Sequence, residues 1–199
     1  IYKKKKKKIE KVLKNNFTKV LKVEKQNAVK ELKSLATRKS SEKTLNALTK
    51  ENHTLIEGGE SRFQSVKNGL EKIDAGAIVA IHDGVRPLIS KTLIDNLVLQ
   101  IKKGIGVIPV VPVKDSMRKI EGENSKHIDR SNLYQVQTPQ CFIGADIKDA
   151  YKQKFSENFT DDASVLENNG GKIITILGER ANLKITTEED LRIAEMFIQ

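Results

Sequence analysis

The 199-residue sequence contains a single cysteine, Cys141, so no disulfide can form within the chain. Its three histidines, His53, His82 and His127, stand apart from that cysteine and from one another, which excludes a zinc site of Cys/His spacing. The longest apolar runs, at 76–81 and 104–113, fall well short of the roughly 20 residues a membrane-spanning helix needs. The basic start is not followed by an apolar block, so it is not a secretory signal. A soluble, cytoplasmic protein is therefore expected, without a membrane partner and with Cys141 as buried filler in a reducing compartment. Glycine is absent before Gly58.

The net charge of +10 invites a nucleic-acid partner, but its distribution argues against one. Residues 1–52 hold 17 Lys and Arg against 5 Asp and Glu, whereas residues 53–199 hold 19 against 21. The excess is a lysine-rich leader rather than a basic patch on a folded surface. Within it, residues 3–8 are all lysine, and Ile9, Val12, Leu13, Phe17, Val20, Leu21 and Val23 recur at spacings of three and four, which predicts an amphipathic helix. Residues 34–50 are richer in Ser, Thr and Asn and only weakly periodic. The leader, 1–52, is thus expected to be a helical unit distinct from an α/β domain over 53–199.

From His53 the pattern changes. Residues 53–57 read as a short strand, Gly58-Gly59 as a turn, and 61–73 as a helix with Phe63, Val66, Leu70 and Ile73 on one face. Next comes the tract Ala77-Ile78-Val79-Ala80-Ile81-His82-Asp83-Gly84-Val85-Arg86-Pro87, an apolar run that halts on a carboxylate, a glycine and an arginine. It suits a central parallel strand covered on both faces, and ligands gather where such strands end in open α/β sheets. Asp83 is then placed to hold a divalent metal, although Asp-Gly is also ordinary turn chemistry. A helix near 90–103 and strands at 105–113, 133–137 and 172–177 follow. Helices are expected at 144–155, 161–168 and 188–198, the last capped by Thr187. The alternation predicts a parallel α/β sheet, and the polar stretch 114–132 predicts a hairpin arm leaving it.

Seven motifs, in order, carry a resemblance. They are Gly58-Gly59-Glu60-Ser61-Arg62-Phe63-Gln64-Ser65-Val66, His82-Asp83-Gly84-Val85-Arg86-Pro87, Val113-Lys114-Asp115-Ser116, Asp129-Arg130, Gln137-Thr138-Pro139-Gln140, Thr160-Asp161-Asp162-Ala163 and Asn182-Leu183-Lys184-Ile185-Thr186. Together they make residues 53–199 resemble the 2-C-methyl-D-erythritol 4-phosphate cytidylyltransferases. The resemblance implies a Rossmann-like nucleotidyltransferase, a three-layer α/β sandwich with a protruding β-hairpin arm. It also implies transfer of CMP from CTP to methylerythritol phosphate with Mg²⁺ as cofactor.

On this chain the resemblance assigns Gly59, Glu60 and Ser65 to the cytidine, and Asp83 with Gly84 to the nucleotide, Asp83 also carrying the metal. Lys184 and Arg130 match the cations that orient the attacking phosphate, Arg130 from a neighbouring subunit. Ser116 and Thr138 match hydroxyl donors to the same substrate, and Arg86 is assigned to that pocket. The arm would clasp a second subunit, giving a twofold-symmetric homodimer. Each residue also has a plainer reading: Lys184 as a solvated surface charge, Arg130 paired with Asp129 or Glu123, Ser116 and Thr138 as turn caps.

The family's opening glycine-rich loop, Ala-Ala-Gly-x-Gly-x-Arg followed by Pro-Lys, has no counterpart in residues 1–52. Such a loop cradles phosphates with backbone N–H groups, and losing even one preorganised donor typically costs about 10²–10³ in rate. Little activity is therefore expected. The alternatives are a ribitol 5-phosphate cytidylyltransferase, which would share these motifs, and an inactive transferase-like binding protein carrying a basic leader.

Overall fold

The computed structural model describes residues 56–197. The expected leader helices and most of the strand expected at 53–57 lie outside the described residues; the described part of that strand, Ile56 and Glu57, is irregular. The first element is helix α1, Arg62–Glu71, which begins where Ser61 accepts a hydrogen bond from the Gln64 N–H. Strand β1, Ile78–Ile81, leads to α2, Lys91–Gln100, capped in the same way by Ser90. Strand β2, Ile105–Pro112, is followed by the arm, a hairpin of β3, Met117–Glu121, and β4, Asn124–Ile128. The chain returns through β5, Tyr134–Val136, and β6, Gln140–Ile143, into α3, Gly144–Ala150. Helix α4, Asp162–Asn168, strand β7, Lys172–Leu177, and helix α5, Glu188–Met196, complete it.

The sheet is mixed, which corrects the all-parallel expectation. Strand β7 runs parallel to β2, with Ile105 opposite Lys172, but β5 and β6 run antiparallel to it, and β6 separates β2 from β1. The reason lies in the connection. No crossover helix stands between β2 and β5; the chain turns back through the arm, and a reversing connection of that kind delivers an antiparallel strand. Strand β1 pairs with β6 alone among the described residues, so it borders the described sheet instead of lying at its centre.

Side chains alternate between the two faces and so build three layers. Val79 and Phe142 face α1, α3 and α4, joining Phe63, Leu70, Ile147, Tyr151, Val165 and Leu166. Their sequence neighbours Ala80 and Cys141 face the other way, against Leu93 and Leu97 of α2 and Val107 of β2. Cys141 is fully buried, and burial pushes its thiol up to about 12, as expected of a filler. The ring of Phe142 lies across Gly106, where a Cβ would come within 2.5 Å of the ring; glycine inside β2 makes that close packing possible.

One helix stops short of the sequence expectation, and another keeps its expected bounds. Helix α3 stops at Ala150, four residues after Asp146, and its residue beyond, Tyr151, turns inward to stack on Phe63 with ring centroids 4.6 Å apart. Helix α4 starts at a reciprocal cap: Asp161 accepts from the Ser164 N–H, and the Ser164 hydroxyl lies 3.3 Å from the Asp161 N–H. Asp161 also accepts from Nε2 of the buried Gln140 at 2.8 Å. Asp161→Ala therefore removes a cap and strands a buried amide, and is expected to cost about 2 kcal/mol in denaturant unfolding.

Candidate active site

Strand β1 ends at Ile81, and the next five residues fold into a turn closed by the Arg86 N–H donating to the Asp83 carbonyl at 3.0 Å. Asp83-Gly84 is thus a turn, as its composition suggests, but one that aims a carboxylate at two cations. Asp83 Oδ2 lies 3.2 Å from Arg86 Nε and 3.4 Å from Lys184 Nζ. Burial opposes ionisation of Asp83, but the charge of Lys184 and the hydrogen bond from Arg86 outweigh it and hold the carboxyl below its usual range. Lys184 arrives from the far side of the sheet, on the stretch between β7 and α5. That stretch belongs to no strand; it is chain held to the Asp83 turn by the Ile185 N–H donating to the Val85 carbonyl at 2.9 Å.

Beneath these charges lies a closed loop of hydrogen bonds. Thr138 Oγ1 sits 3.0 Å from His82 Nδ1 and accepts the Asp83 N–H at 2.9 Å. His82 Nε2 lies 2.8 Å from the Arg86 carbonyl. Arg86 Nη1 donates to the Asn182 carbonyl at 2.8 Å, and Asn182 Nδ2 donates to the Thr138 carbonyl at 2.8 Å, which closes the circuit. Gln137 Nε2 supports it from below, donating to the carbonyls of Glu179 and Asn182. Close approach is a condition of that support: a Cβ on Gly178 would come within 2.4 Å of Gln137 Oε1. The peptide bond between Thr138 and Pro139 is cis.

The predicted nucleotide-binding segment is built separately at the start of α1. Ser65 donates to the Ser61 carbonyl at 2.9 Å and accepts the Gly59 N–H at 2.9 Å, folding the glycine turn back on the helix. A Cβ at Gly59 would collide with Gln64 at 2.2 Å, so this turn demands glycine for reasons of its own packing. Glu60 is exposed. Gly84 is exposed too, and a Cβ there would meet nothing within 4 Å. Next to this turn, Arg62 makes a two-pronged contact with the buried Asp162, at 2.9 and 2.6 Å, and Tyr151 donates to the same carboxylate at 2.6 Å. The hydrogen bonds to Asp162 chiefly keep Arg62 charged, with a smaller contribution from Asp83, so the two segments share an electrostatic neighbourhood.

Of the residues singled out from sequence, Asp83, Arg86, Thr138 and Lys184 come together. Ser116 and Arg130 do not join them: both are exposed near the base of the arm, and no hydrogen bond or ion pair links either to the Asp83 cluster. Arg130 pairs with neither Asp129 nor Glu123; Asp129 is instead engaged by the Ser131 N–H and hydroxyl. His82, Gln137, Asn182 and the Arg62–Asp162 pair were not among the singled-out residues. Each lies inside a quoted motif, and His82 alone directly follows an apolar run.

Two cations facing one carboxylate at a strand end suit a phosphate-bearing ligand. No cluster of three or more His, Cys, Asp or Glu able to cage a metal occurs among the described residues. Asp83 alone still fits Mg²⁺, an ion usually held through one or two carboxylates with substrate phosphates and water completing its octahedron.

Comparison with known proteins places this arrangement. A family model described as 2-C-methyl-D-erythritol 4-phosphate cytidylyltransferase matches residues 9–199. The protein of that name from Azobacteroides pseudotrichonymphae genomovar. CFP2 is 48% identical over 149 residues, covering 73% of this chain and 66% of that one. Its namesake from Phocaeicola vulgatus is 41% identical over 146 residues, covering 73% and 67%. The chain spans about two thirds of the length of these curated relatives. Among solved structures, the Francisella tularensis 2-C-methyl-D-erythritol 4-phosphate cytidylyltransferase superposes with a TM-score of 0.66 at 31% identity, over 76% of each chain. The 4-diphosphocytidyl-2C-methyl-D-erythritol synthase of Anaerococcus prevotii gives a TM-score of 0.67 at 26% identity, over 86% of this chain and 88% of that one. The chain therefore belongs to the 2-C-methyl-D-erythritol 4-phosphate cytidylyltransferase family.

Proposed function

We propose that the chain transfers CMP from CTP to 2-C-methyl-D-erythritol 4-phosphate, releasing pyrophosphate and forming 4-diphosphocytidyl-2-C-methyl-D-erythritol, a step of non-mevalonate isoprenoid precursor synthesis. The observation that carries this reading is the convergence of Asp83, Arg86 and Lys184 on a chain of this family. A phosphate oxygen of the alditol attacks the α-phosphorus of CTP, the bond to the β-phosphate breaks, and pyrophosphate leaves. Catalysis rests on positioning and on neutralising charge. Lys184 orients the attacking phosphate, with Arg86 beside it and the turn at Gly59, Glu60 and Ser65 holding the cytidine. Asp83 would hold Mg²⁺, which when bound draws the phosphates together and offsets their charge.

The same reading makes the enzyme a cytoplasmic homodimer. Support comes from the arm, whose β3 and β4 are exposed almost throughout, with Met117 and Ile120 bare of packing and Tyr134 and Val136 exposed at its base. Arg130, remote from the Asp83 cluster of its own chain, would complete the site of a partner subunit, with Ser116 near it. Among the described residues no helix is long and apolar enough to cross a membrane.

The test is pyrophosphate release from CTP and Mg²⁺ with methylerythritol phosphate, against ribitol 5-phosphate as control. Release with the first substrate alone supports the proposal; preference for ribitol phosphate, or no release by a folded chain, overturns it.

A further inference from the structure

The His82 ring hydrogen-bonds to neither Lys184 nor the Asp83 carboxylate, yet it occupies a decisive place in the hydrogen-bonded circuit. The Arg86 carbonyl can only accept, so Nε2, 2.8 Å away, carries the ring proton. Nδ1 is then an acceptor, and the Thr138 hydroxyl donates to it at 3.0 Å. The same hydroxyl takes the Asp83 N–H on a lone pair at 2.9 Å. Each atom has one role, and all are filled when the ring is neutral. We propose that His82 is a positioning residue of the transfer site, its neutral ring bridging Thr138 and the Arg86 carbonyl so that the Asp83 carboxylate, Arg86 and Lys184 converge.

The circuit explains why one ring matters to three charges. Asp83 is held at its N–H by Thr138, and Arg86 at its carbonyl by His82 and at its guanidinium by Asn182. Asn182 in turn opens the segment that carries Lys184 and is tied to Thr138 through its side chain. Removing the ring frees the Thr138 hydroxyl to rotate and releases the Arg86 carbonyl, so the turn loses both of its fixed ends. A second proton, on Nδ1, would face the Thr138 hydroxyl as a donor and break the same pattern. The charged groups around the ring are Asp83, which favours that proton, and Arg86, which opposes it.

The kinetic consequence rests on the transferase reading above, but the geometric claim is testable without turnover. The Asp83 N–H is held by the Thr138 hydroxyl and the Arg86 N–H by the Asp83 carbonyl, so both amides report on the turn. Amide hydrogen exchange, read by NMR, should quicken at Asp83 and Arg86 in His82→Ala and in Thr138→Val. In His82→Gln, whose amide keeps both a donor and an acceptor, it should stay nearer the parent value. Imidazole nitrogen shifts in the parent protein should place the proton on Nε2. In the turnover assay His82→Ala should lower kcat/KM by about 10–100-fold, with His82→Gln in between.

Unchanged amide exchange at Asp83 and Arg86 in folded His82→Ala, or a parent ring protonated on Nδ1, overturns the proposal. If His82→Ala does not fold, Thr138→Val decides, since it removes only the bonds to Nδ1 and to the Asp83 N–H. Absence of turnover in the parent chain counts against the transferase reading alone, because amide exchange at Asp83 and Arg86 still reports on His82.

Discussion

Lys184→Ala is expected to lower kcat/KM for CMP transfer by about 10²–10³, the usual cost of losing one preorganised charge from a phosphoryl-transfer site. Its ammonium group is 3.4 Å from Asp83 Oδ2, and its side chain is 51% exposed, so it stands at the open side of the turn where an incoming phosphate can take it up. The stem is placed by the Ile185 N–H bond to Val85, which the substitution leaves intact. Stability should change little, because an ion pair involving so exposed a lysine contributes about 0–1 kcal/mol. Single-turnover pyrophosphate release with enzyme in excess reads the rate even from a slow parent, and thermal unfolding reads the fold. A large kinetic loss beside an unchanged melting temperature is the signature of a substrate-orienting cation. Equal rates for parent and variant would return Lys184 to the solvated surface.

The second large effect is on stability. Phe142→Ala is expected to destabilise the chain by about 3–5 kcal/mol. Phe142 is completely buried at the middle of the sheet and packs in the cluster that unites β1 and β6 with α1, α3 and α4. Its neighbours have little room to collapse into the void, because the ring lies on the Gly106 backbone, where no side chain exists to fill the space. The loss should appear as a lower denaturant midpoint at unchanged slope. Gly106→Ala attacks the same contact from the other side and should also destabilise, since its Cβ would meet the ring at 2.5 Å and Ile173 at 2.8 Å.

Particular elements show where the sequence was sufficient. Strand β7 spans Lys172–Leu177 as its Ile-rich run predicts, and α5 starts after Thr187, which accepts the Asp190 N–H in the expected cap. The arm at 114–132 contains the predicted hairpin, with Gly122 in a left-handed conformation at its tip. These features depend on neighbours a few residues apart, so local patterning carries them. Strand direction does not: the strand expected at 133–137 reads the same whichever way it lies. Only its return from the arm makes it antiparallel to β2.

The site divides along the same line. By itself the sequence determined the charge bearers, because Asp83, Arg86 and Lys184 stand in motifs whose order and spacing mark the family. It also showed that the lysine excess is confined to residues 1–52. The tertiary structure alone decided that Asp83 pairs with a lysine about a hundred residues later, and that Ser116 and Arg130 lie away from that pair. It alone gave His82 and Asn182 their places in the supporting circuit. Motifs record which groups are present, whereas hydrogen bonds between distant segments depend on how strands are ordered in the sheet, and that order is set by burial over the whole domain.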